Sequence, residues 1–467
     1  MSAEHIVIIG AGPTGLGAAW RLEELGHHDW TLYEQASGAG GLAMSVVDDQ
    51  GFTWDLGGHV LFSHYRYFDA LMERALGGAW LEHVREAWVW IRERWVPYPF
   101  QNNIGRLPQS DLLASLDGLL DLQAQPTTRP VPHTFEEWLL ASFGTGLCET
   151  FMFPYNTKVW AYPPCQLDVG WMGERVALVD LKRIVHNVLL GRDDVSWGPN
   201  ATFRFPSHGG TGAIWRSISE QLPSDRLHFG RRLASVNSAS HTLRFADGET
   251  VRYDHLISSI PLDVLLCSLE DVPPLSAMAS RFVHSSSHIV GIGMAGRAPS
   301  ALETKCWMYF PEPETPFYRV TVFSNYSPNN VAHPGAQWSL MAEISESPVK
   351  PVDATRIVQA TIDGFRHCGF VTDETEIVSR FHRRLEHGYP TPWLGRDDVL
   401  GEVNDALEAR GILSRGRFGA WKYEVSNQDH SAMQGAEAAE RIVTGSPEYT
   451  YHGEMRDWLT PPRPEAR

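Results

Sequence analysis

Residues 6–15 read Ile-Val-Ile-Ile-Gly-Ala-Gly-Pro-Thr-Gly, and this stretch decides the fold. Its four β-branched residues predict a buried strand, and the apolar pattern over residues 16–25 predicts a helix directly after the glycines. The glycines have the G-x-G-x-x-G spacing that binds the pyrophosphate of a dinucleotide between a strand and a helix. Gly10 permits the tight turn, Gly12 lets the pyrophosphate approach the backbone, and Gly15 lets helix and strand pack closely.

A second strand and a second glycine cluster strengthen this interpretation. Residues 30–33 predict a strand, and Glu34 closes it where, roughly 20 residues after the motif, a carboxylate holds a ribose hydroxyl. NAD and FAD share the fingerprint, but glycines at 38, 40 and 41 favour FAD because they bring more backbone N–H groups to the pyrophosphate. The cofactor-binding residues predicted here are Gly10, Gly12, Pro13, Thr14, Gly15, Glu34, Gly40, Gly41 and Leu42.

The composition limits the classes of partner. With 467 residues, the chain is too long for one compact core, so we expect two or three domains. The net charge of −17, without a basic stripe, argues against nucleic acid as a partner. An acidic protein of this kind would need locally concentrated arginines to bind an anionic substrate.

Cysteine, histidine and apolar patterns set further expectations. The 5 cysteines include no C-x-x-C, which is typical of reduced cytosolic thiols. No H-x-x-x-H stands beside carboxylates, so no metal site is predicted. No apolar run reaches the roughly 18 residues that a membrane span needs, so we expect a cytoplasmic protein with no membrane partner. The oligomeric state stays open.

The patterns along the chain predict an α/β fold with a Rossmann-like FAD-binding domain, an inserted helical domain and an antiparallel β-sheet domain. The predicted boundaries are 1–85, 197–275 and 401–447 for the FAD-binding domain, 86–107 and 276–400 for the β-sheet domain, 108–196 for the inserted, substrate-covering domain, and 448–467 for a tail.

Three local predictions accompany this plan. Residues 227–236 and 251–257 each predict one strand, and prolines at 97 and 99 predict an irregular aromatic segment over 95–103. A C-terminal helix is predicted over 431–444. Its small residues suit close approach to a cofactor, and its dipole would stabilise negative charge on a reduced flavin; an ordinary amphipathic terminal helix is the alternative. These small residues are Ala432, Gly435, Ala436 and Ala438.

Long and rare blocks of sequence then point to a family. Examples are Gly-Gly-His-Val-Leu-Phe-Ser-His at 57–64 and Trp-Val-Pro-Tyr-Pro-Phe-Gln-Asn-Asn at 95–103. Over residues 6–443 the chain resembles the eukaryotic-type UDP-galactopyranose mutases, which are FAD enzymes. The other matching blocks lie at 154–160, 173–176, 197–206, 323–328, 387–392 and 423–431.

The resemblance implies an isomerase. Its members interconvert UDP-galactopyranose and UDP-galactofuranose, and a closely related nucleotide sugar is the alternative substrate. There is no net redox change: N5 of reduced FAD attacks the anomeric carbon, UDP leaves, and the sugar recloses from a covalent adduct. FAD is therefore expected to be active when reduced, with NADPH as the reductant and a UDP-sugar as the partner.

The resemblance also assigns roles to residues. Arg175 and Arg319 match the arginines that grip the diphosphate, His59 matches a mobile loop beside the flavin, and Arg417 matches an arginine near the flavin. These four are the predicted catalytic residues. Further cofactor contacts are Gly58, His59, Asn427, Gln428 and Ser431. Further substrate contacts are Phe62, Tyr98, Gln101, Asn102, Tyr155, Asn156, Trp160, Asn200, Tyr309, Tyr326, Tyr389 and Tyr423.

The reductant region contains one of three departures from the family pattern. Arg85 falls where the family has an NADPH-contacting arginine, and His64 lies nearby. Ala87 stands where the family has a serine, which puts the choice and affinity of the reductant in doubt.

The other two departures lie near the C-terminus. Lys422 replaces an arginine and Ser426 replaces a glycine, and neither change removes a proposed catalytic group.

Two other classes of flavoprotein share part of this pattern. An oxidase or dehydrogenase of the amine-oxidase or protoporphyrinogen-oxidase type would share residues 10–41 but would not require the arginine and tyrosine set. A non-catalytic FAD-containing binding protein would not need the flavin-facing histidine loop. Both remain alternatives to the mutase at this point.

Overall fold

The structure, a computed structural model, describes residues 4–124, 130–172, 176–195 and 201–455. The strands in chain order are β1 (Ile6–Ile9), β2 (Trp30–Glu34), β3 (Ser45–Val47), β4 (Thr53–Asp55), β5 (Trp80–Val84), β6 (Ala87–Ile91), β7 (Arg94–Pro97), β8 (Thr202–Pro206), β9 (Leu227–Phe229), β10 (Leu233–Asn237), β11 (Thr242–Phe245), β12 (Thr250–Arg252), β13 (His255–Ser258), β14 (His284–Ala295), β15 (Trp307–Tyr309), β16 (Arg319–Val322), β17 (Gln337–Glu346), β18 (Ile377–Pro390) and β19 (Ile412–Ser414).

The α-helices form layers around these strands. In chain order they are α1 (Pro13–Glu24), α2 (Arg66–Leu76), α3 (Gln109–Ala124), α4 (Phe135–Leu147), α5 (Phe153–Trp160), α6 (Leu181–Leu190), α7 (Gly212–Gln221), α8 (Leu262–Ser268), α9 (Pro273–Ala277), α10 (Phe323–Tyr326), α11 (Ile357–His367), α12 (Arg396–Glu408) and α13 (Gln428–Thr444).

A five-stranded parallel sheet carries the glycine motif. Its order is β19-β13-β1-β2-β9, so the first strand of the chain lies at the centre. Ile6 and Ile8 pack with α1, α7 and α13 on one face, and Val7 and Ile9 pack with α8 and α12 on the other. Burial on both faces explains why β1 reads as a continuous β-branched run. The predicted mixed α/β fold is confirmed.

The larger sheet has seven strands in the order β18-β14-β17-β16-β15-β6-β7. Its pairs are antiparallel as predicted, except that β15 and β6 are parallel. The prediction of an irregular segment from residue 95 was wrong for its first residues, because β7 continues to Pro97 at the edge of the sheet. An edge strand tolerates proline, since one side of its backbone makes no ladder bonds.

Two predicted strands are each divided between sheets. Residues 227–236 form β9 in the parallel sheet and β10 in a three-stranded antiparallel sheet with β11 and β12. The chain turns between them at Gly230, whose φ is +74°. Residues 251–257 likewise leave the small sheet at Arg252 and enter the parallel sheet at His255.

A helical layer lies between the two sheet-forming parts. Helices α3 to α6 follow β7 and precede β8, as the predicted helical insertion requires, and their buried aromatic and aliphatic side chains form one cluster with residues of β6 and β7. The domain boundaries within this arrangement stay predictions. Across the described ranges, none of the helices combines the length and apolar character that crossing a bilayer demands.

Candidate active site

The glycine motif forms the cradle that its spacing predicts. Gly10 has a φ of +101°, which only glycine adopts readily, and a Cβ on Gly15 would lie 1.8 Å from the Gly10 carbonyl oxygen. Gly12 and Pro13 begin α1, and no side chain of the described residues caps this helix. Its first N–H groups are thus available to an anion.

The second glycine cluster lies directly against the first. The Gly40 N–H donates to the Ala11 carbonyl at 2.8 Å, and a Cβ on Gly41 would lie 3.1 Å from the Gly12 Cα. Glu34 accepts hydrogen bonds from the Ala11 N–H at 2.8 Å and the Ala36 N–H at 2.7 Å. The fold thus brings the predicted carboxylate and both glycine clusters to one place, with Leu42 beside them in a short 3₁₀ turn.

Helix α13 begins near this cradle, but its small residues have another role. A Cβ on Gly435 would lie 1.9 Å from the Thr14 carbonyl oxygen, and one on Gly17 would lie 2.4 Å from the Ala432 carbonyl oxygen. Ala432 and Gly435 therefore allow α13 to pack against α1, and the approach of the small residues to a cofactor stays a prediction. Asn427 precedes α13, and Ser431 is buried in its first turns. Gln428 accepts a hydrogen bond from Trp215 Nε1 at 2.7 Å.

A buried ion pair supports the histidine loop. Arg319 on β16 stands opposite Glu343 on β17 and donates to it twice, from Nε to Oε1 at 2.6 Å and from Nη2 to Oε2 at 2.7 Å. The Gly58 N–H donates to Glu343 Oε1 at 3.0 Å. The loop with His59 and the predicted diphosphate arginine therefore share one carboxylate.

His59 is held in its neutral form. Burial, with smaller contributions from Arg417 and Arg319, lowers the pKa of His59 to about 4, although Glu343 acts in the opposite direction. Within the described residues its Nδ1 has no hydrogen-bond partner. A buried polar nitrogen without a partner is costly, so this atom is suited to meet a ligand.

The predicted aromatic residues from distant segments meet beside this loop. Ring centroids of Tyr309 lie 5.1 Å from Tyr98 and 5.4 Å from Tyr155, and those of Tyr423 lie 4.8 Å from Trp160 and 5.6 Å from Tyr389. Burial raises the pKa of each of Tyr98, Tyr155, Tyr309 and Tyr389 above the usual value for tyrosine. These phenols therefore stay protonated at neutral pH and remain hydrogen-bond donors.

Arg417 brings a second cation to the same cluster. Its guanidinium carbon lies 4.9 Å from the centre of the Tyr389 ring and 5.7 Å from that of Tyr423. Nη1 donates to Ser426 Oγ at 2.9 Å and Nη2 donates to the Gly388 carbonyl at 3.0 Å. Ser426, one of the departures from the family pattern, thus holds this arginine in place.

The remaining predicted contacts are distributed more widely. Gln101 donates to the Ala177 carbonyl at 2.6 Å, Asn156 donates to the Met152 carbonyl at 2.8 Å, and Asn102 is buried. Tyr326 is fully buried against aromatic rings, which are Phe203, Phe205 and Phe323. Phe62 lies 5.3 Å from the His64 ring. Two predictions fall outside the described residues: Arg175 and Asn200.

Sequence reasoning missed Glu343 and Tyr318. Besides its ion pair, Glu343 accepts a hydrogen bond from the Tyr318 hydroxyl at 3.0 Å, and this hydroxyl lies 3.4 Å from that of Tyr389. Although burial alone would raise the pKa of Glu343, Arg319 holds it below its usual range. A single carboxylate inside the apolar run Leu340-Met-Ala-Glu-Ile344 was the signal available in the sequence.

The fold also assembles two groups of possible metal ligands that spacing along the chain did not reveal. One is His64, Asp429 and His430, and the other is Asp263, His284 and His387. In the second group the two imidazole rings stack with 24° between their planes, so their lone pairs do not converge on one point. In the first, His64 Nδ1 lies 2.7 Å from Asp429 Oδ2, as in an ordinary hydrogen bond.

Taken together, these residues fit a flavin dinucleotide. The paired glycine clusters pack closely against each other, α1 begins among them without a side-chain cap, and the histidine loop offers an unpartnered nitrogen. The structure therefore contains the residues predicted for both the dinucleotide and the sugar, and the loop at residues 57–59 contacts the second group through Glu343.

Comparison with known proteins points the same way. A family model described as flavin-containing amine oxidoreductase matches residues 13–390. The solved structure of a reduced UDP-galactopyranose mutase is 50% identical with a TM-score of 0.94, covering 97% of this chain and 96% of that chain.

More distant solved structures share the fold alone. A protein from Exiguobacterium described as a protoporphyrinogen oxidase is 17% identical with a TM-score of 0.72, covering 96% of this chain and 100% of that chain. Putrescine oxidase bound to putrescine is 16% identical with a TM-score of 0.64, covering 94% and 99%.

Proposed function

The chain belongs to the flavin-containing amine oxidoreductases and, among them, to the UDP-galactopyranose mutases, and on that premise we propose that it is an isomerase interconverting UDP-galactopyranose and UDP-galactofuranose. The observation that carries the proposal is the arrangement around Glu343, where the loop of His59 and the guanidinium of Arg319 are bound to the same carboxylate. An oxidase of the same fold would not require an arginine and several tyrosines beside the histidine loop.

The cationic and phenolic side chains suit a diphosphate. Arg319 presents a planar fork of donors, and such forks bind phosphate oxygens in pairs. Tyr309 and Tyr389 would add neutral O–H donors, because burial raises the pKa of both phenols. Tyr423, whose ring lies 5.6 Å from that of Tyr389, would add a further hydroxyl. We infer that this set holds the UDP moiety both before and after it separates from the sugar.

The cofactor would be FAD. The glycines at 10, 12, 15, 40 and 41, with Glu34, would hold its dinucleotide part, and the start of α13 would face its ring system. When bound and reduced, the flavin supplies the nucleophile for the anomeric carbon. The neutral imidazole of His59 is suited to a positional role beside it, since burial keeps its pKa far below neutral.

As the reductant we propose NADPH. Arg85 supports this, since its guanidinium lies 5.4 Å from the Tyr98 ring and 5.8 Å from the Trp307 ring, at the edge of the aromatic cluster. Ala87 is the buried first residue of β6. Its methyl group provides no hydroxyl that could donate a hydrogen bond to a phosphate of the reductant. Stopped-flow reduction of the flavin by NADPH and by NADH, in the native chain and in Ala87→Ser, tests both points. Slower reduction by NADPH than by NADH would contradict the proposal.

The decisive experiment is anaerobic. Dithionite-reduced protein is incubated with UDP-galactofuranose, and UDP-galactopyranose is sought by chromatography. Conversion that requires the reductant supports the mutase. Absence of conversion with FAD bound and reduced, for UDP-galactofuranose and for other nucleotide furanoses, would instead favour the oxidase.

A further inference from the structure

Lys158 is a buried lysine on α5, and its ammonium group donates three hydrogen bonds. The residue is 8% exposed. Its Nζ donates to the Phe310 carbonyl at 3.0 Å, to the Glu312 carbonyl at 2.6 Å and to Thr315 Oγ1 at 3.0 Å. An ammonium group has three N–H donors, so each of them has an acceptor.

All three acceptors belong to the connection between β15 and β16. This connection begins after Tyr309 and ends before Arg319, two of the proposed contacts to the UDP-sugar. Tyr155, whose ring is 5.4 Å from that of Tyr309, lies on α5 less than one turn before Lys158. One side chain therefore connects the helix to the segment that joins these two strands.

The C-terminal end of α5 is attached to β17 and to the residue that follows this strand. Ser345 Oγ donates to the Lys158 carbonyl, and Ser347 Oγ donates to the Ala161 carbonyl at 2.6 Å. Since β17 also carries Glu343, the helix is fixed to the strand that orients Arg319 as well as to the connection that precedes it. Two separate sets of hydrogen bonds therefore fix the position of α5.

The chemistry of Lys158 is unusual for a purely structural residue. Its three acceptors are neutral, so they do not offset the cost of removing a charge from water as a carboxylate would. An apolar side chain of similar volume would avoid that cost. The ammonium group instead fixes the position of the β15–β16 connection relative to α5, because its three hydrogen bonds are directional.

We propose that Lys158 is a positioning residue for the mutase, which holds the β15–β16 connection against α5 so that Tyr155, Tyr309 and Arg319 face the diphosphate at fixed mutual distances. The proposal rests on the proposed function, because those three residues are assigned to the UDP-sugar there. Lys158 itself does not touch the substrate in this assignment.

The first test compares Lys158→Met with Lys305→Met. Lys305 is also buried, but its ammonium lies over the Trp88 and Trp95 rings. We expect Lys158→Met to retain FAD and to raise KM for UDP-galactofuranose on the order of ten- to hundredfold, as small displacements of binding groups do. Lys305→Met should leave KM unchanged. An unchanged KM in Lys158→Met, or an equal rise in Lys305→Met, overturns the proposal.

The second test measures how KM depends on pH, because the ammonium group of Lys158 loses its charge when it is deprotonated. Burial, with a smaller contribution from the nearby Lys350, lowers the pKa of Lys158 to about 7, although Cys368, Glu314 and Glu312 act in the opposite direction. A neutral amine has two N–H groups for three acceptors, so KM should rise between about pH 6 and pH 8. Lys158→Arg stays charged and should show no such rise. The same rise in both proteins, or none in the native chain, contradicts the proposal.

A binding measurement separates this inference from the proposed function. The affinity for UDP is followed in parallel by quenching of tryptophan fluorescence. If the native reduced protein fails to turn over nucleotide furanoses, the proposed function fails, and the UDP affinities of Lys158→Met and Lys305→Met still decide the role of Lys158. Equal affinities in the two variants would overturn it.

Discussion

At the scale of single residues, Glu343 connects two parts of the site that lie far apart in sequence. It binds Arg319 through two hydrogen bonds and the backbone of Gly58 through a third. A Cβ on residue 58 would lie 2.9 Å from Glu343 Oε1, so a larger residue here would displace the carboxylate that binds Arg319. The position of the loop and the orientation of Arg319 are therefore coupled through one carboxylate.

Arg319→Ala should abolish turnover while FAD stays bound. The variant also leaves the carboxylate of Glu343, 3% exposed, without its counter-ion, which typically costs about 3–5 kcal/mol of unfolding free energy. The double variant Arg319→Ala, Glu343→Gln should regain much of that stability but none of the activity. Thermal unfolding and chromatographic turnover assays check the two expectations, and full activity in the single variant would refute the role of Arg319.

His59 should not titrate in the neutral range. Its pKa is lowered to about 4 in the folded chain, against about 6.5 in the unfolded chain, so its contribution to stability is present above pH 6.5 and is lost as the pH falls towards 4. Histidine-selective NMR titration measures this directly. The comparison protein is His59→Gln, which should lack this part of the acid destabilisation. A midpoint near 6.5 for the native residue would contradict the prediction.

At the scale of elements, the crossing of α1 and α13 determines where the cradle lies. The two helices approach so closely that glycine is required at 17 and 435. Thr14, which Gly435 contacts, lies in the first turn of α1, directly after the pyrophosphate-binding turn. A displacement of α13 would thus displace the N–H groups that face the cofactor.

Gly435→Ala should therefore lower both stability and FAD content. Its Cβ would lie 1.9 Å from the Thr14 carbonyl oxygen, and such a backbone clash forces the helices apart, at a cost of roughly 1–3 kcal/mol. Gly401→Ala on α12 is the matched control, because nothing lies within 4 Å of its Cβ and alanine should stabilise the helix by up to about 1 kcal/mol. Flavin absorbance and thermal unfolding measure both, and equal behaviour of the two variants would disprove the packing argument.

The elements that could be predicted from the sequence are those with local signals. The strand, glycine turn and helix at the N-terminus follow from spacing within ten residues. The prolines at 97 and 99 excluded a central strand, but they led to the prediction of an irregular segment where β7 lies at the edge of the sheet. The division of residues 227–236 depends on which sheet each half joins, which no local pattern specifies. The Arg319–Glu343 pair depends on the register of β16 against β17, a pairing between separate segments of the chain.

At the scale of the whole molecule, the nucleotide end and the sugar end of the site were predictable to different degrees. The nucleotide end followed from residue types and spacing. The sugar end followed only from resemblance to a family, because its tyrosines and arginines come from the helical layer, the large sheet and the segment before α13. Physical reasoning from sequence could not bring these segments together, since long-range topology decides their distances.

A truncated chain tests how far the molecule depends on its C-terminal part. Residues 1–400 lack β19, which pairs with β13, and α13, which packs on α1. We expect this fragment to lose FAD, whereas residues 1–455 should retain it. Size-exclusion chromatography with flavin absorbance distinguishes the two, and FAD retained by the shorter fragment would show that the remaining strands suffice.

The order of strands in the parallel sheet has a consequence for how the protein is made in the cell. The central strand leaves the ribosome first, but β19 and α13 follow only after some 400 residues, on the order of tens of seconds later at ordinary rates of synthesis. During that interval β13 exposes an unpaired edge, to which chaperones or other nascent chains can bind. We therefore expect FAD to bind late in biosynthesis. If riboflavin, the precursor of FAD, is scarce, chains whose synthesis is complete would lack the cofactor.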